Sequence, residues 1–306
     1  MALTWDQVSA ITEKKFLPKL ADNIFDSNAL LSRLKKKSFE VLDGGTSIMV
    51  PLNYATTTAS GWYTGSDTLS TADNEQLTAA EYTWKQLYAN VSITSLDEKK
   101  NSGDSQKLSL VKSKMQIAEK TMVDTMGTAL YNDGTTLNAF VGLRAIVGTA
   151  NTIGGISQSS YSWWQGQVDS SSTTFSISAL QTVFNACSID NDQPTVIVAT
   201  RANYNRYYAA LQPQQRFQDS ESAKGGFSSL MFNGIPFLAD SKVPASHIFL
   251  INENYLHLFA HKDENMKMMP FQMPINQNVR TAKIFFMGAL GSSNNRLHGK
   301  LSAVAA

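Results

Sequence analysis

The stretch from Asp104 to Tyr131, DSQKLSLVKSKMQIAEKTMVDTMGTALY, carries the only long uninterrupted helix pattern in the 306 residues of the chain. Its apolar residues recur at steps of three and four, which at 3.6 residues per turn places them on one face of a helix. They are Leu108, Val111, Met115, Ala118, Met122, Met126 and Leu130. Asp104 or Ser105 can cap the first turn, and Gly134 can take the left-handed conformation that closes the last one. The pattern predicts one helix, roughly 40 Å long at 1.5 Å per residue, around which the rest of the chain is organised.

The composition is that of a folded protein with little net charge. Hydrophobic residues make up 42% of the chain, enough for a core in one large or two medium domains. With 17% charged residues and a net charge of +1, no overall basic field attracts nucleic acid, so any such contact must be local. The single cysteine, Cys187, excludes an internal disulfide framework. Neither a signal peptide nor a stretch of about 20 apolar residues is present, and we expect a chain made in the cytosol.

Residues 1–38 have the pattern of two amphipathic helical pieces that end in Lys35, Lys36 and Lys37. Thr4-Trp5-Asp6-Gln7 has the form of a capping box at the first helix start. Further apolar residues follow at helical spacing: Leu17, Leu20, Ile24, Leu31 and Leu34. Since this stripe has no partner nearby in sequence, we expect the arm to dock on the body of the protein or on a neighbouring copy.

After Gly44-Gly45 the apolar period changes from 3.6 to 2. Ile48 to Tyr54 alternates as a half-buried strand, in which Pro51 indicates an edge position. A second strand is predicted over 82–94, with a phase change near Lys85-Gln86 that suggests a β-bulge. The long polar connection between them includes Trp62 and Tyr63, and a connection of this length is functional or mobile. Residues 44–98 are therefore predicted to form a long hairpin.

The second half of the chain has the pattern of mixed helices and strands, with one short strand before it at 138–149. Residues 150–175 are predicted to be a surface loop whose Trp163 and Trp164 pack on something. The remaining predictions are helices at 176–187 and 201–211, a loop at 212–227, and strands at 195–199, 230–238, 247–251, 255–260 and 281–289. Asn233-Gly234 is a hairpin turn dipeptide. This order of elements predicts an α+β fold.

Sequence signatures of catalysis are missing. The chain has no GxxxxGK, GxGxxG, HExxH, GxSxG or CxxC. Cys187 lies on the apolar face of a predicted helix, which favours a buried structural thiol over a nucleophile. His257 and His261 are four residues apart but are too few to hold a metal. We therefore expect no catalytic, cofactor-binding or metal-binding residue.

Three sequence segments add to the order of the parts: LYNDGTTLNAFVGLRAIV after the long helix, PTVIVATRANYNRYYAAL, and FNGIPFLADSKVPASHIFLINENYLHLF. With an N-terminal arm, a long two-stranded extension, one long helix and a closing α+β region, the chain resembles major capsid proteins of tailed bacteriophages with the Hong Kong 97-type shell fold, over almost its whole length. The resemblance implies an N-terminal arm at 1–43, an extended loop at 44–98 and a peripheral domain with the spine helix at 99–149. It further implies an axial domain at 150–280 and strands that return to the peripheral domain at 281–306.

The resemblance implies a non-enzymatic shell subunit without cofactors that forms pentamers and hexamers of an icosahedral head. Such a subunit is made in the cytoplasm of the bacterial host, ends in the virion, encloses double-stranded DNA and does not bind membranes. Its partners would be itself, DNA held by weak contacts, and separate scaffolding, portal and decoration proteins. Inter-subunit contacts are expected from Trp5, Leu31, Trp62, Tyr63 and Trp84, because exposed aromatics on long loops favour interface positions. DNA-facing charges are expected at Lys19, Lys35, Lys36 and Lys37, although lysines at a helix end also simply complement the helix dipole.

Other functions remain open at this point. An encapsulin-type shell has the same fold and encloses protein cargo. An α+β hydrolase using Cys187 with a histidine such as His257 belongs to a different class, as does a tail or host-binding component. The Cys187→Ser variant would lose activity if the protein were the hydrolase and would change almost nothing in a shell.

Overall fold

The computed structural model describes residues 28–101, 110–171, 174–211 and 230–302. Its helices are α1 (Ala29–Lys37), α2 (Ser95–Lys100), α3 (Leu110–Ala129), α4 (Leu143–Ile146), α5 (Ile177–Ala186) and α6 (Arg201–Leu211). Its strands are β1 (Phe39–Leu42), β2 (Ile48–Asn53), β3 (Leu77–Tyr82), β4 (Lys85–Thr94), β5 (Thr152–Ile153), β6 (Ile156–Ser157), β7 (Gln167–Asp169), β8 (Val196–Ala199), β9 (Met231–Phe232), β10 (Ile235–Ala239), β11 (Ile248–Ile251), β12 (Leu256–His261), β13 (Lys267–Met268), β14 (Val279–Ser292) and β15 (Gly299–Leu301). The predicted α+β class is confirmed.

The chain divides into two compact units. The smaller unit includes, among the described residues, 88–101, 110–124 and 266–285. In it, Lys114 Nζ donates a hydrogen bond of 2.8 Å to the carbonyl of Ser92, and Arg280 pairs with Glu98 at 3.0 Å. The larger unit includes 28–87, 125–265 and 286–302, apart from the residues that the structure does not describe.

The larger unit contains a six-stranded sheet in the order β7-β15-β11-β8-β10-β9. Its central strands β8 and β11, VIVA and IFLI, bury every residue, which explains why they are continuous apolar runs. Helix α5 is capped by Ser176, whose hydroxyl accepts from the amide of Ala179 at 3.0 Å, and it packs its apolar face on this sheet. Asn233 and Gly234 have φ of 46° and 79° and form the predicted tight turn between β9 and β10.

A second sheet has the order β1-β12-β14-β13, and β4 also pairs with β14. Strand β1 lies parallel to β12, with Phe39 opposite Leu258, and β12 lies antiparallel to β14. This pairing differs from the expected return of 281–306 to one domain, because β14 joins the second sheet while β15 pairs with β7 and β11 in the six-stranded sheet. Strand β12, expected in the axial segment, shares the sheet of β14.

Helix α3 confirms the predicted long helix over Leu110–Ala129, and its predicted start at 104–109 lies outside the described residues. Ala118, Met122, Met126 and Leu130 of the predicted stripe are buried, but Val111 is 40% exposed. The predicted closure by Gly134 is wrong. The chain leaves the helix at 130–132 through bonds from the amides of Tyr131 and Asn132 to carbonyls three residues earlier, and Gly134, with φ of 85°, lies in the following loop.

Two other predictions, both just after the long helix, are corrected by the structure. The strand expected at 138–149 is instead loop plus helix α4, in which the amides of Ile146 and Val147 bond to the carbonyls four residues earlier. An apolar run without a period fits either structure, and here burial on all sides allows a helix. The surface loop expected at 150–175 contains, in its described part, β5, β6, β7 and a 3-10 turn at Ser162–Trp164.

The predicted second strand of the hairpin is in fact two strands. Strand β2 pairs with β3 in a two-stranded sheet from Ile48 opposite Tyr82 to Asn53 opposite Leu77. Strand β4, which follows after Thr83 and Trp84, belongs to the sheet of β14. The phase change near Lys85 therefore marks a break between two sheets rather than a β-bulge.

Candidate assembly surface

The extension between β2 and β3, residues 54–76, is a long loop held together by few hydrogen bonds. No helix or strand lies within it. Asn74 bridges its two sides: the side-chain amide donates to the carbonyl of Thr56 at 3.2 Å, and its oxygen accepts from the amide of Thr58 at 3.1 Å. Nearer the tip, the carboxylate of Asp67 accepts from the amide of Thr64 at 2.8 Å. The extension therefore has a defined stem.

The stem and the adjoining strand β3 are each anchored to the rest of the larger unit. The ring of Tyr54 stacks on Trp163 with centroids 5.2 Å apart. The amide of Glu81 donates to the carbonyl of Gly154 at 2.9 Å in the turn between β5 and β6. Gly154 has φ of 59°, and a Cβ there would lie 2.7 Å from the Cβ of Ala80, so only glycine permits this approach. Trp163 and Trp164, as aromatics in a predicted surface loop, were expected to make buried contacts with another subunit, but Trp163 packs on the chain's own extension instead.

The outer part of the extension exposes large apolar side chains. Trp62 is fully exposed at 106%, and Tyr63 and Leu69 are exposed at 67% and 60%. Within the described residues no hydrogen bond or ring contact involves the Trp62 indole. Isolated exposed apolar residues are ordinary, but a tryptophan at the end of a tethered loop is typical of a surface that another molecule covers.

The other predicted contact residues are placed differently. Leu31 is 1% exposed and packs inside its own chain with Leu30 and Leu34, so its predicted contact with a neighbour is wrong. Trp84 is half-buried, and its indole N–H donates to the carbonyl of Gly45 at 2.9 Å, so its polar group is already used. Trp5 and Lys19 lie outside the described residues. Trp164, whose exposure is 1%, is a core residue.

The described part of the N-terminal arm docks on its own body. Helix α1 begins at Asn28, whose side-chain oxygen accepts from the amide of Leu31 at 2.7 Å, and it ends with Lys35, Lys36 and Lys37 in its last turn. The predicted dipole arrangement is therefore present. All three lysines are exposed, but Lys37 Nζ is 3.0 Å from a carboxylate oxygen of Glu253.

Glu253 joins α1 to the turn between β11 and β12. Its carboxylate is fully buried and accepts hydrogen bonds from Arg33, from Lys37 and, at 2.8 Å, from the hydroxyl of Thr195. Burial raises the pKa of this carboxyl, but the hydrogen bonds from Arg33, Lys37 and Thr195 and the charge of Arg33 outweigh it, so the pKa of Glu253 is lowered. Sequence patterns gave no signal for this residue, because its partners on α1 are more than 200 positions away.

The residues considered for catalysis are not brought together. Cys187 is completely buried in the apolar cluster between α5 and the six-stranded sheet, and burial raises the pKa of its thiol to about 12. His257 lies on β12 in the other sheet, where its Nδ1 is 2.8 Å from Glu40 and its Nε2 is 3.3 Å from Ser293. The part of the chain that the structure describes holds no group of three or more metal-ligating side chains. Among those residues, too, no helix combines the length and apolarity needed to cross a bilayer.

Sequence reasoning missed a small apolar cavity in the larger unit. Met126, Phe140 and Phe286 form its floor, and Leu137, exposed at 86%, lies at its edge. Leu137 is an isolated leucine in the polar stretch DGTTLN, which was a weak signal in the sequence. Lys85 and Gln86 of β4 complete the rim.

The chain is similar in fold to several solved structures of capsid and encapsulin shells. No protein-family model and no curated protein matches the sequence. The chain is similar to the capsid asymmetric unit of cyanophage A-1(L), with 15% identity, a TM-score of 0.71, and coverage of 100% of this chain and 99% of that one. It is similar to the capsid of the native GTA particle (15% identity, TM-score 0.67, 98% of each chain). It is also similar to the holo-SrpI encapsulin complex of Synechococcus elongatus (12% identity, TM-score 0.65, 97% and 95%). The chain therefore has the Hong Kong 97-type fold of capsid shell proteins.

Proposed function

We propose that the protein is the major capsid protein of a tailed bacteriophage, a subunit that assembles into pentamers and hexamers of an icosahedral head around double-stranded DNA. The observation that carries this proposal is the fold similarity over the full length of both chains, which includes the extension and the long helix. A fold shared over a single region would not carry it, because one fold hosts many functions.

The geometry of the extension supports self-assembly. A stem fixed by the stacking of Tyr54 on Trp163, next to a strand held at Gly154, carries a loop with exposed aromatic side chains. Contacts of this kind can each be weak, because a closed shell repeats them many times and multivalency adds their effects. In this proposal the protein is not an enzyme, which agrees with the buried, protonated thiol of Cys187.

The remaining partners belong to the same proposal. Of the lysines predicted to face DNA, Lys35 and Lys36 are exposed and are not paired with Glu253, so they are available for weak contact with packaged DNA. Separate scaffolding, portal and decoration proteins would take part in assembly, and the mature subunit would reside in the virion after synthesis in the bacterial cytoplasm.

Electron microscopy of the purified chain in negative stain, combined with its mass distribution in solution, tests the proposal. We expect closed shells, or rings of five and six subunits, from the chain alone or after addition of a scaffolding protein. A chain that remains monomeric under both conditions, or forms only trimers or a single ring type, would contradict the proposal.

An encapsulin-type compartment is the second candidate, and the similarity to the SrpI encapsulin complex favours it. Nuclease-protected DNA in shells purified from the natural source would support the bacteriophage head. A defined protein inside the shells, without nucleic acid, would support the cargo compartment.

A further inference from the structure

The cavity beside Leu137 has the size and lining of a receptor for one side chain. Its volume is about 220 Å³, below the roughly 300–1,000 Å³ of small-molecule sites. Met126, Phe140 and Phe286, the apolar floor, are themselves buried, so the cavity is part of the packed larger unit rather than a surface irregularity. Such a cavity suits an aromatic ring better than a cofactor.

The rim is left exposed in the described chain. Leu137 is 86% exposed next to the apolar floor, although burial of a leucine side chain is favourable. A group that filled the cavity would cover Leu137 as well. Covering the cavity floor and Leu137 would therefore contribute favourable free energy to the binding of a partner.

The charges of the extension and the rim are complementary. Residues 54–76 include Asp67, Asp73 and Glu75 and no lysine, arginine or histidine, so this loop carries a charge of −3. Lys85 lies at the rim of the cavity and forms no ion pair with the residues that the structure describes. The exposed aromatic side chains of this loop match the apolar cavity, and its negative charge matches the lysine at the rim.

We propose that the cavity of one subunit receives Trp62 from the extension of a second copy, with Leu137 covering the indole and Lys85 facing the acidic loop. This inference rests on the proposed shell function and names the contact that the extension makes. Trp62 is fully exposed in its own chain and therefore does not fill its own cavity.

Engineered disulfides test the contact in the otherwise intact protein. A side chain introduced at Gly61 would meet open space, and Gln86 is an exposed rim residue. The double variant Gly61→Cys and Gln86→Cys therefore places one thiol on the extension and one at the rim of the cavity, and it keeps Trp62 and Leu137. The native Cys187 is buried and does not compete for oxidation. The matched control pairs Gly61→Cys with Tyr208→Cys, an exposed residue of α6 that does not line the cavity.

After assembly and mild oxidation, we expect the Gly61/Gln86 pair to give disulfide-linked oligomers on non-reducing gels, at least about fivefold more than the control pair, since disulfides form only at Cα separations of about 4.4–6.8 Å. Shells that form normally but show no linkage above the control would overturn the inference and leave the shell function standing. A wild-type chain that forms no shells even with a scaffold would overturn both.

Oxidative footprinting of the wild-type chain covers the case in which the variants do not assemble. On passing from subunits to shells, the oxidation rates of Trp62 and Leu137 should both fall several-fold. Unchanged oxidation of Trp62 in closed shells would contradict the proposed contact, whatever the variants do.

Discussion

At the scale of single residues, Glu253 shows how a charge can be kept in an interior. Its buried carboxylate has three donors, Arg33, Lys37 and Thr195, and its own amide donates to the Thr195 hydroxyl at 3.0 Å. A buried ion pair contributes little net stability relative to an apolar replacement, but loss of one partner leaves the other charges uncompensated. Glu253 therefore fixes where α1 docks more than it adds to overall stability.

We expect Glu253→Gln to destabilise the protein at pH 7 by about 1–3 kcal/mol, because Arg33 and Lys37 lose their carboxylate. The pKa of Glu253 is lowered by folding, so the unfolded state binds the proton more readily. Its contribution is present above the ordinary pKa of 4.5 and is lost as the pH falls through the lower pKa of the folded state. Unfolding in urea at several pH values between 7 and 3 measures this.

The difference in the free energy of unfolding between wild type and Glu253→Gln should shrink below pH 4.5. Glu119→Gln, which removes an exposed carboxylate of α3, is the control and should follow the wild-type curve. If the free energies of unfolding of wild type and Glu253→Gln changed in parallel with pH, the protonation of this carboxylate would not be coupled to folding.

At the scale of elements, the sequence was most informative where one local period decides the structure. Helices α5 and α6, strand β8 and the Asn233-Gly234 turn lie within one or two residues of their predicted positions, because each carries its own cap, apolar run or turn residues. The stretch 77–94 could not be divided from the sequence. Its two strands differ only in the partners they pair with, and β14 is almost 200 residues further along.

The lack of a deciding local pattern also explains the errors at α4 and Leu31. Residues 143–147 are almost entirely buried, so no period separates helix from strand. Leu31 lies on an apolar stripe that the sequence could assign to a neighbour as well as to the body, and the docking of the arm is set by distant residues such as Asp240, which contacts the amide of Leu30 at 3.4 Å.

The extension is a separable element, and its removal tests its role. Deleting 56–80, most of the connection between the two predicted strands, would also remove most of β3, which pairs with β2. Replacing residues 54–76 with Asn-Gly instead joins Asn53 to Leu77, the last pair of the β2–β3 register, by a two-residue turn. We expect a folded monomer with an unfolding transition close to that of the wild type and no closed shells by electron microscopy.

The interpretation of that deletion depends on a second replacement. Exchanging 54–76 for a Gly/Ser linker of the same length retains the reach and removes Trp62, Tyr63 and the acidic residues. It should also fail to form shells. Closed shells from either variant would show that the extension is not required for assembly.

At the scale of the whole molecule, the near-neutral charge is consistent with a subunit that encloses DNA without binding it tightly. With a net charge of +1, affinity for a polyanion must come from local groups. Lys37 is occupied by Glu253, which leaves Lys35 and Lys36 at the exposed end of α1. If these residues face packaged DNA, they act through phosphate contacts, whose strength falls with salt.

We expect Lys35→Ala with Lys36→Ala to leave shell assembly intact and to weaken binding of subunits to duplex DNA. The slope of log K against log salt is negative, and each lost phosphate contact should reduce its magnitude by about 0.9. Fluorescence anisotropy of labelled DNA over a range of salt concentrations measures this. Lys267→Ala with Lys283→Ala removes the same charge from exposed positions of β13 and β14 and is the control. Equal slopes for both double variants would show that the effect comes from net charge alone. Failed assembly of the Lys35/Lys36 variant would place these lysines at a subunit contact instead of facing DNA.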